Sequence, residues 1–395
     1  MTTGHLFRLP NALLFAFIAM CATSSAHSQT LWQTTRAVPV SPNAVTTYVE
    51  VITGPSIGPH LHEFLALGGN GPILEFIASV DGGVTWQQRG SLPIIGGTTG
   101  GSFDVFKLAY GPEGYTLVNT SDFCNPSSAS GHTAQTCMWR STNTMDWEPV
   151  PLSTSLQNFY SITYGNGRYA VVGEQGFGPC MSNGAQDARS RCHISISTNG
   201  VTWNDELPNA HGITGISDYR NGPLKFLNGR FIFDGYSGMG TGSDDTRFWS
   251  SADGITWTAT SNRFGSDTCT FSHGVAYGNS RYLVFSLNPD FVCVSADAVN
   301  WSKHPIVGTN KPMSNSSGLI FFAGTFYSLI RHASQQVPRS IGGYSWVNDI
   351  TDPSSRQAIA ADDEHAVQVG IVEQAGRGFL YASSDRIFAS GMDNE

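Results

Sequence analysis

The chain has 395 residues, of which 40% are hydrophobic and only 13% are charged, about half of the ~25% that is usual in soluble globular proteins. With 44 glycines and 9 tryptophans, this composition excludes a disordered chain and a coiled coil. The 21 basic residues form no run and are outnumbered by 30 acidic ones, which argues against nucleic acid and anionic membrane surfaces as partners.

Residues 1–28 have the order of a secretory signal peptide. One basic residue, Arg8, precedes an apolar run from Ala12 to Ala22, and small residues follow as far as Ser28. The apolar run is too short to span a membrane. We therefore expect residues 1–28 to be cleaved and residues 29–395 to be secreted or periplasmic, without membrane insertion. A lipoprotein signal ending at Cys21 is the minor alternative, because bulky Met20 stands where lipid attachment favours a small residue.

A motif with the pattern Ser-x-Asp/Asn-Gly-x-Thr-Trp recurs along the chain. Its tryptophans lie 44 to 61 residues apart, at Trp86, Trp147, Trp203, Trp257, Trp301 and Trp346. A second motif, such as Tyr164-Gly-Asn-Gly-Arg-Tyr169, precedes each copy from Trp147 onward. Glycine and asparagine accept the positive φ angles of tight hairpins, so each repeat predicts four antiparallel strands, which is one blade of a β-propeller.

The two ends of the chain determine the number of blades. After Trp346, three further strand-like stretches occur at residues 357–361, 366–372 and 378–383, and none contains a tryptophan. At the other end, Trp32 lies 54 residues before Trp86. The sequence therefore predicts an all-β chain, residues 29–395, that forms a single seven-bladed propeller of four-stranded blades. The N-terminal strand completes the last blade, and this closure removes open sheet edges.

The serine-to-tryptophan motif resembles the Asp-box, or BNR repeat, of sialidases and of proteins similar to the photosystem II assembly factor. In that family the motif is a structural turn remote from the ligand. The resemblance implies that the tryptophans pack between blades and that turn amides are held by Asp81, Asn199, Asp253 and Asp297. Sialidase activity is not expected, because the only match to the family's Phe-Arg-Ile-Pro segment, Phe7 to Pro10, lies in the signal peptide.

Removing the signal peptide leaves six cysteines, and an even number in an exported chain favours disulfide bonds. They form three local pairs: Cys124 with Cys137, Cys180 with Cys192, and, by elimination, Cys269 with Cys293. The first two pairs close long loops and either secure those loops or shape a binding surface. Because Cys269 precedes an inner strand, its pairing requires it to lie in a loop folded over the blade.

In a propeller the short turns share one face and the long loops share the other, where function is expected. Alignment of the blades places four candidate binding residues at the channel mouth on the loop face: Tyr160, Lys225, His273 and Arg356. Three candidate catalytic carboxylates belong to the same face: Asp104, Glu174 and Asp234. No cofactor motif occurs, and the segment from His60 to Glu63 lacks the third ligand of a metal site.

Two functions remain open. The first is a non-catalytic binding or scaffold protein, expected to be a monomer, that recognises a protein or a glycan through its loop face. The alternative is a polysaccharide-active hydrolase or lyase, with carboxylates roughly 5 to 9 Å apart at the channel mouth.

Overall fold

The computed structural model describes residues 33–34, 47–57, 61–70, 73–93, 106–120, 137–151, 158–175, 191–206, 224–237, 245–261, 263–264, 267–286, 288, 290–307, 316–330, 336–350, 355–362, 365–372 and 377–384. Within these residues, the regular secondary structure consists of β-strands. The signal peptide and Trp32 lie outside the described residues. No helix in the described part of the chain has the length and apolar character needed to cross a membrane.

The described strands form seven antiparallel sheets, numbered here in chain order. Sheet 1 contains β2 (Thr47–Ser56), β3 (His62–Asn70), β4 (Ile73–Ser79) and β5 (Gln87–Pro93). Sheet 2 contains β6 (Phe106–Gly111), β7 (Gly114–Asn119), β8 (Met138–Ser141) and β9 (Glu148–Pro149). Sheet 3 contains β10 (Asn158–Gly165), β11 (Arg168–Gln175), β12 (Arg191–Ser197) and β13 (Asn204–Glu206). Sheet 4 contains β14 (Lys225–Leu227), β15 (Arg230–Ser237), β16 (Asp245–Ser251) and β17 (Thr258–Ser261).

The remaining sheets depart slightly from this pattern. Sheet 5 has five strands: β18 (Arg263–Phe264), β19 (Asp267–Gly278), β20 (Arg281–Ser286), β21 (Phe291–Ser295) and β22 (Trp301–Pro305). Sheet 6 contains β23 (Ser316–Phe322), β24 (Thr325–Ile330), β25 (Gln336–Ser340) and β26 (Val347–Ile350). Sheet 7 contains β27 (Ser355–Ala361), β28 (His365–Val372), β29 (Arg377–Ser384) and, beside β29, β1 (Gln33–Thr34). In this last pairing Gln33 lies opposite Ala382. The four-stranded repeat does not predict β18.

Neighbouring sheets pack face to face through buried hydrophobic clusters. Such clusters join sheets 1 and 2, 2 and 3, 3 and 4, 4 and 5, 5 and 6, and 6 and 7. A further cluster brings Trp86 of sheet 1 together with Ala360 and Val367 of sheet 7. We call β2, β6, β10, β14, β19, β23 and β27 the inner strands. Each inner strand contacts the next, and β27 contacts β2.

The repeated tryptophans contribute to these contacts, because each packs against the preceding sheet. Trp147 of sheet 2 stacks on Phe76 of sheet 1 with 4.4 Å between ring centroids. Trp301 lies at the same distance from Phe248 of sheet 4. Aromatic side chains bury more apolar area than any others, about 150–250 Å² each, so the repeated tryptophans supply a large part of the packing between sheets.

The Asn-Gly segments form the hairpin turns that the sequence predicts. Asn166 and Gly167 have φ angles of 46° and 76°, and Asn228 and Gly229 have φ angles of 47° and 73°. Positive φ at both central residues is the signature of a type I′ turn, whose twist matches that of the flanking strands. The side-chain amide of Asn166 also donates to the carbonyl of Ala252 in sheet 4, at 2.6 Å. Asparagine at this position therefore forms the turn and binds the next sheet.

The structure contains the disulfide between Cys269 and Cys293, with 6.3 Å between their Cα atoms. The expected position of Cys269 is wrong: the residue lies in β19 and pairs with Ser286, rather than in a loop over the sheet. The repeat alignment starts this strand too late, because the pairing is irregular between Thr270 and Val275. Cys137 is also disulfide-bonded. Cys124 and Cys180 lie outside the described residues, and only the backbone of Cys192, in β12, is described.

Candidate functional site

The inner strands of all seven sheets line a central cavity of about 450 Å³, which we call the channel. Most of its lining consists of apolar side chains and hydroxyl groups. Among the described lining residues, three side chains carry charge: Glu50 on β2, Lys107 on β6 and Lys225 on β14. A concave cavity that combines apolar surface with a few placed polar groups is the usual form of a small-ligand site, so the channel is the principal candidate.

Lys107 and Glu50 form an ion pair across neighbouring inner strands. The Nζ atom of Lys107 donates to Oε2 of Glu50 at 2.8 Å, and the two side chains are 23% and 14% exposed. The pair joins sheets 1 and 2 at the channel wall. It also engages the one carboxylate that lines the described part of the channel.

Lys225 lines the channel three residues before the Asn228-Gly229 turn, and its role in ligand binding remains a prediction. Its side chain keeps contact with water in the channel, and no hydrogen bond or ion pair joins it to another described residue. The surrounding strands nevertheless enclose it. Burial therefore lowers the pKa of Lys225 below its ordinary value; nearby Glu50 opposes this shift, and Lys107 adds to it.

Several inner strands are irregular toward the end where they enter from the long loops. Register shifts lie between Phe159 and Ser161 in β10, between Thr270 and Val275 in β19, and between Arg356 and Ala358 in β27. Such bulges redirect side chains, and they are frequent at the rims of barrels and beside active sites. Three predicted mouth residues, Tyr160, His273 and Arg356, lie at these irregularities.

Of these three residues, Tyr160 has surroundings that differ from the predicted channel mouth. The Tyr160 side chain is half-buried and packs against the hydrophobic cluster between sheets 3 and 4, so it contributes to the core. For His273 and Arg356 the structure describes only the backbone, and their role in binding remains a prediction.

The candidate carboxylates are not brought together in the described part of the channel. Glu174 lies in β11 opposite Cys192, and Asp234 lies in β15 opposite Phe248. Both strands are second strands, one position away from the channel, and the side chains of these two residues are not described. Asp104 lies outside the described residues. A catalytic carboxylate pair therefore remains a prediction.

Aromatic pairs surround the end of the channel that faces the short turns. In five sheets an aromatic residue of the inner strand contacts one of the second strand, with 4.7 to 4.8 Å between centroids. The inner members line the channel and are Tyr110, Tyr164, Phe226, Tyr277 and Phe321. The sequence carries a signal for these pairs, because aromatic residues flank the short turn motifs, but strand patterning alone does not show that they meet at the channel.

A second cavity, of about 370 Å³, lies between sheets 1 and 2. In it, buried Glu63 accepts hydrogen bonds from the Tyr115 hydroxyl and from Arg89, both at 2.7 Å. Burial and the bond to Glu63 raise the pKa of Tyr115 far above its ordinary value, so the phenol stays protonated. The corresponding Tyr169 and Tyr282 donate to backbone carbonyls of the preceding sheet. The Tyr115 bond to Glu63 has the same place in the fold as these two bonds, so we interpret it as a link between sheets 1 and 2.

The segment from His60 to Glu63 does not assemble metal ligands in the described region. The Glu63 carboxylate already accepts hydrogen bonds from Tyr115 and Arg89. The Nδ1 atom of His62 lies 3.1 Å from the carbonyl oxygen of Gly54. Within the described residues, no group of three potential metal ligands occurs. His60 lies outside them.

The residues of the serine-to-tryptophan motif form closed turns that do not line the channel. Asp253 accepts bonds from the backbone amides of Ile255 and Thr256 and from the hydroxyl of Ser251, at 2.7 to 2.9 Å. Partial burial opposes its ionisation, but these bonds outweigh that effect and lower its pKa to about 2. The indole of Trp257 donates to the carbonyl of Gly254 at 3.0 Å. The turns at Asp81, Asn199 and Asp297 repeat the aspartate or asparagine bonds.

Comparison with known proteins rests on solved structures, since no family model and no curated protein matches the sequence. An inactive variant of virginiamycin B lyase from Staphylococcus aureus, bound to quinupristin, has a TM-score of 0.54 and 10% identity and covers 89% of this chain and 98% of its own. A streptogramin B lyase has a TM-score of 0.53 and 9% identity, with coverage of 90% and 97%. The chain has a β-propeller fold. At this identity the likeness shows the fold alone, and membership of the Asp-box family remains a prediction.

Proposed function

We propose that this propeller is an exported, monomeric binding protein that recognises a protein or glycan ligand and does not transform it. Residues 1–28 serve as its cleaved signal peptide. The propeller has seven blades, and its last blade is completed by the N-terminal strand. The pairing of β1 with β29 and the contact of β27 with β2 support this closure. The disulfide between Cys269 and Cys293 fits an oxidising compartment outside the cytoplasm.

The number of carboxylates in the described channel lining supports binding without catalysis. Glycoside hydrolysis requires two carboxyl groups, one to protonate the leaving group and one to act as nucleophile or base. The described lining offers only Glu50, which is held by Lys107 at 2.8 Å. Tyr115 does not replace it as a nucleophile, because its hydroxyl donates to Glu63. These groups can bind a ligand, but they do not form an acid and base pair.

The purified chain should bind a ligand without turning it over. We would screen it on a glycan array and a peptide array, and in parallel against a polysaccharide panel with detection of new reducing ends and of unsaturated products. The expected result is saturable binding to at least one ligand, with no product from any substrate.

The alternative, a polysaccharide-active hydrolase or lyase, predicts turnover that is lost in Glu174→Gln or Asp234→Asn, with Glu113→Gln as the exposed control. Such turnover would contradict the binding proposal. So would the absence of binding on both arrays.

A further inference from the structure

The described lining of the channel carries more positive than negative charge, whereas the chain as a whole is acidic. The whole sequence has a formal net charge of −9 and contains four lysines, at positions 107, 225, 303 and 311. Two of the four, Lys107 and Lys225, line the channel. The described lining therefore carries two ammonium groups and one carboxylate, a net charge of +1, while the chain as a whole is negative.

Among the charged side chains of the described lining, Lys225 is the one without a direct ion-pair partner. Lys107 is paired with Glu50, whereas no hydrogen bond or ion pair joins Lys225 to another described residue. Lys225 is exposed to the water of the channel, so an anion that enters the channel meets an ammonium group that no described residue already holds. The other titratable groups of the described lining are the phenols of Tyr110, Tyr164 and Tyr277, and burial raises the pKa of Tyr110 and Tyr164.

The charge, the lining residues and the volume of the channel indicate which class of anion would fit. One unpaired ammonium group matches one negative charge, whereas a doubly charged phosphate would leave an excess. Phosphate and sulfate are also held preferentially by arginine forks, and the described lining contains no arginine. The volume of about 450 Å³ suits a small molecule, and five aromatic side chains offer flat apolar surface.

We propose that the channel binds a small organic carboxylate, with the carboxylate on the Lys225 ammonium group and the ring or apolar body of the ligand against the aromatic residues of the inner strands. This inference rests on the proposed binding function and names its ligand class. Without ligand, enclosure lowers the pKa of Lys225, and a bound carboxylate raises it again. Binding should therefore take up protons at pH values close to the pKa of the free Lys225, and affinity should fall as the pH rises through that pKa.

The test uses two carboxylate probes with neutral analogues: 3-phenylpropionate against 3-phenylpropanamide, and glucuronate against glucose. Affinity is measured by calorimetry. Reductive ¹³C-methylation labels the four lysines and therefore gives few NMR signals. The signal that disappears in Lys225→Arg belongs to Lys225. At least one carboxylate should bind, shift the Lys225 signal, and lose about tenfold or more in affinity in Lys225→Met. Its neutral analogue should bind equally weakly to both proteins.

Lys303→Met is the matched control. Lys303 lies on β22, 3.6 Å from the ring centroid of Phe291 and outside the channel, so its loss should leave the affinity unchanged. Failure of both carboxylates to bind, equal affinity for carboxylate and neutral analogue, or wild-type affinity in Lys225→Met would each overturn the inference. A chain that binds an array ligand but neither carboxylate loses this inference alone, whereas turnover of a polysaccharide overturns the proposed function. The two probes distinguish an aromatic from a sugar carboxylate.

Discussion

Replacing Trp346 with alanine should lower the free energy of unfolding by about 3–5 kcal/mol, the usual cost of truncating a buried tryptophan. Trp346 is 2% exposed and packs between sheets 5 and 6, with its ring centroid 5.3 Å from that of Phe285. Its indole donates to the carbonyl of Gly343 at 2.9 Å. The substitution therefore removes apolar burial, leaves a cavity between two sheets and breaks a buried hydrogen bond.

The neighbouring Val347→Ala is the matched control, because Val347 is 47% exposed and its truncation should change stability by no more than about 0.5 kcal/mol. Urea unfolding followed by circular dichroism compares the two variants without relying on tryptophan fluorescence. Equal midpoints for Trp346→Ala and Val347→Ala would show that the repeated tryptophans do not hold the sheets together.

Replacing Glu63 with alanine is expected to cost about 3 kcal/mol of stability, in line with the loss of one partner from a buried ion pair. Glu63 is 8% exposed and accepts from both Tyr115 and Arg89 at 2.7 Å. Without it, the Arg89 guanidinium group, 22% exposed, loses its counter-ion, and the Tyr115 hydroxyl loses its acceptor. Glu63→Gln keeps an acceptor for Tyr115 and should cost less.

Glu113 provides the comparison, because its side chain is 56% exposed and its carboxylate lies 3.7 Å from Arg140 in the same cavity. Exposed pairs contribute little, so Glu113→Ala should cost less than about 1 kcal/mol. The assignment of Glu63 as a link between sheets 1 and 2 is wrong if both alanine variants have the same melting temperature.

The features that the sequence predicted act over short stretches of chain. The Asn166-Gly167 hairpin follows from the φ angles that its two central residues tolerate, and the structure has those angles. The motif turns are equally local, since the bonds of Asp253 reach residues only two or three positions away. The spacing of these turns located most strands of the sheets.

Several contacts between side chains of distant segments were not predicted. The ion pair of Lys107 with Glu50 joins residues 57 positions apart in different sheets, and the bond of Tyr115 to Glu63 spans 52 positions. The irregular start of β19, which moves Cys269 into the strand, is set by its neighbour β20 and has no local signal. Lys225 lines the channel close to the Asn228-Gly229 turn, and its role in binding remains a prediction.

We propose that the N-terminal strand closes the ring of sheets around the channel, and a cross-link tests that closure directly. Gln33 and Ala382 are paired between β1 and β29, and antiparallel partners bring Cα atoms within the limit of about 7 Å for a disulfide. The test variant combines Gln33→Cys with Ala382→Cys. The control combines Gln33→Cys with Gly378→Cys, four residues along β29 and about 13 Å away.

The proposal of a closed propeller predicts a disulfide between positions 33 and 382, identified by mass spectrometry of the peptides, and a higher melting temperature of the whole protein. It predicts no cross-link in the control pair. Absence of the bond between positions 33 and 382, or equal cross-linking in both pairs, would contradict a last blade completed by the N-terminal strand.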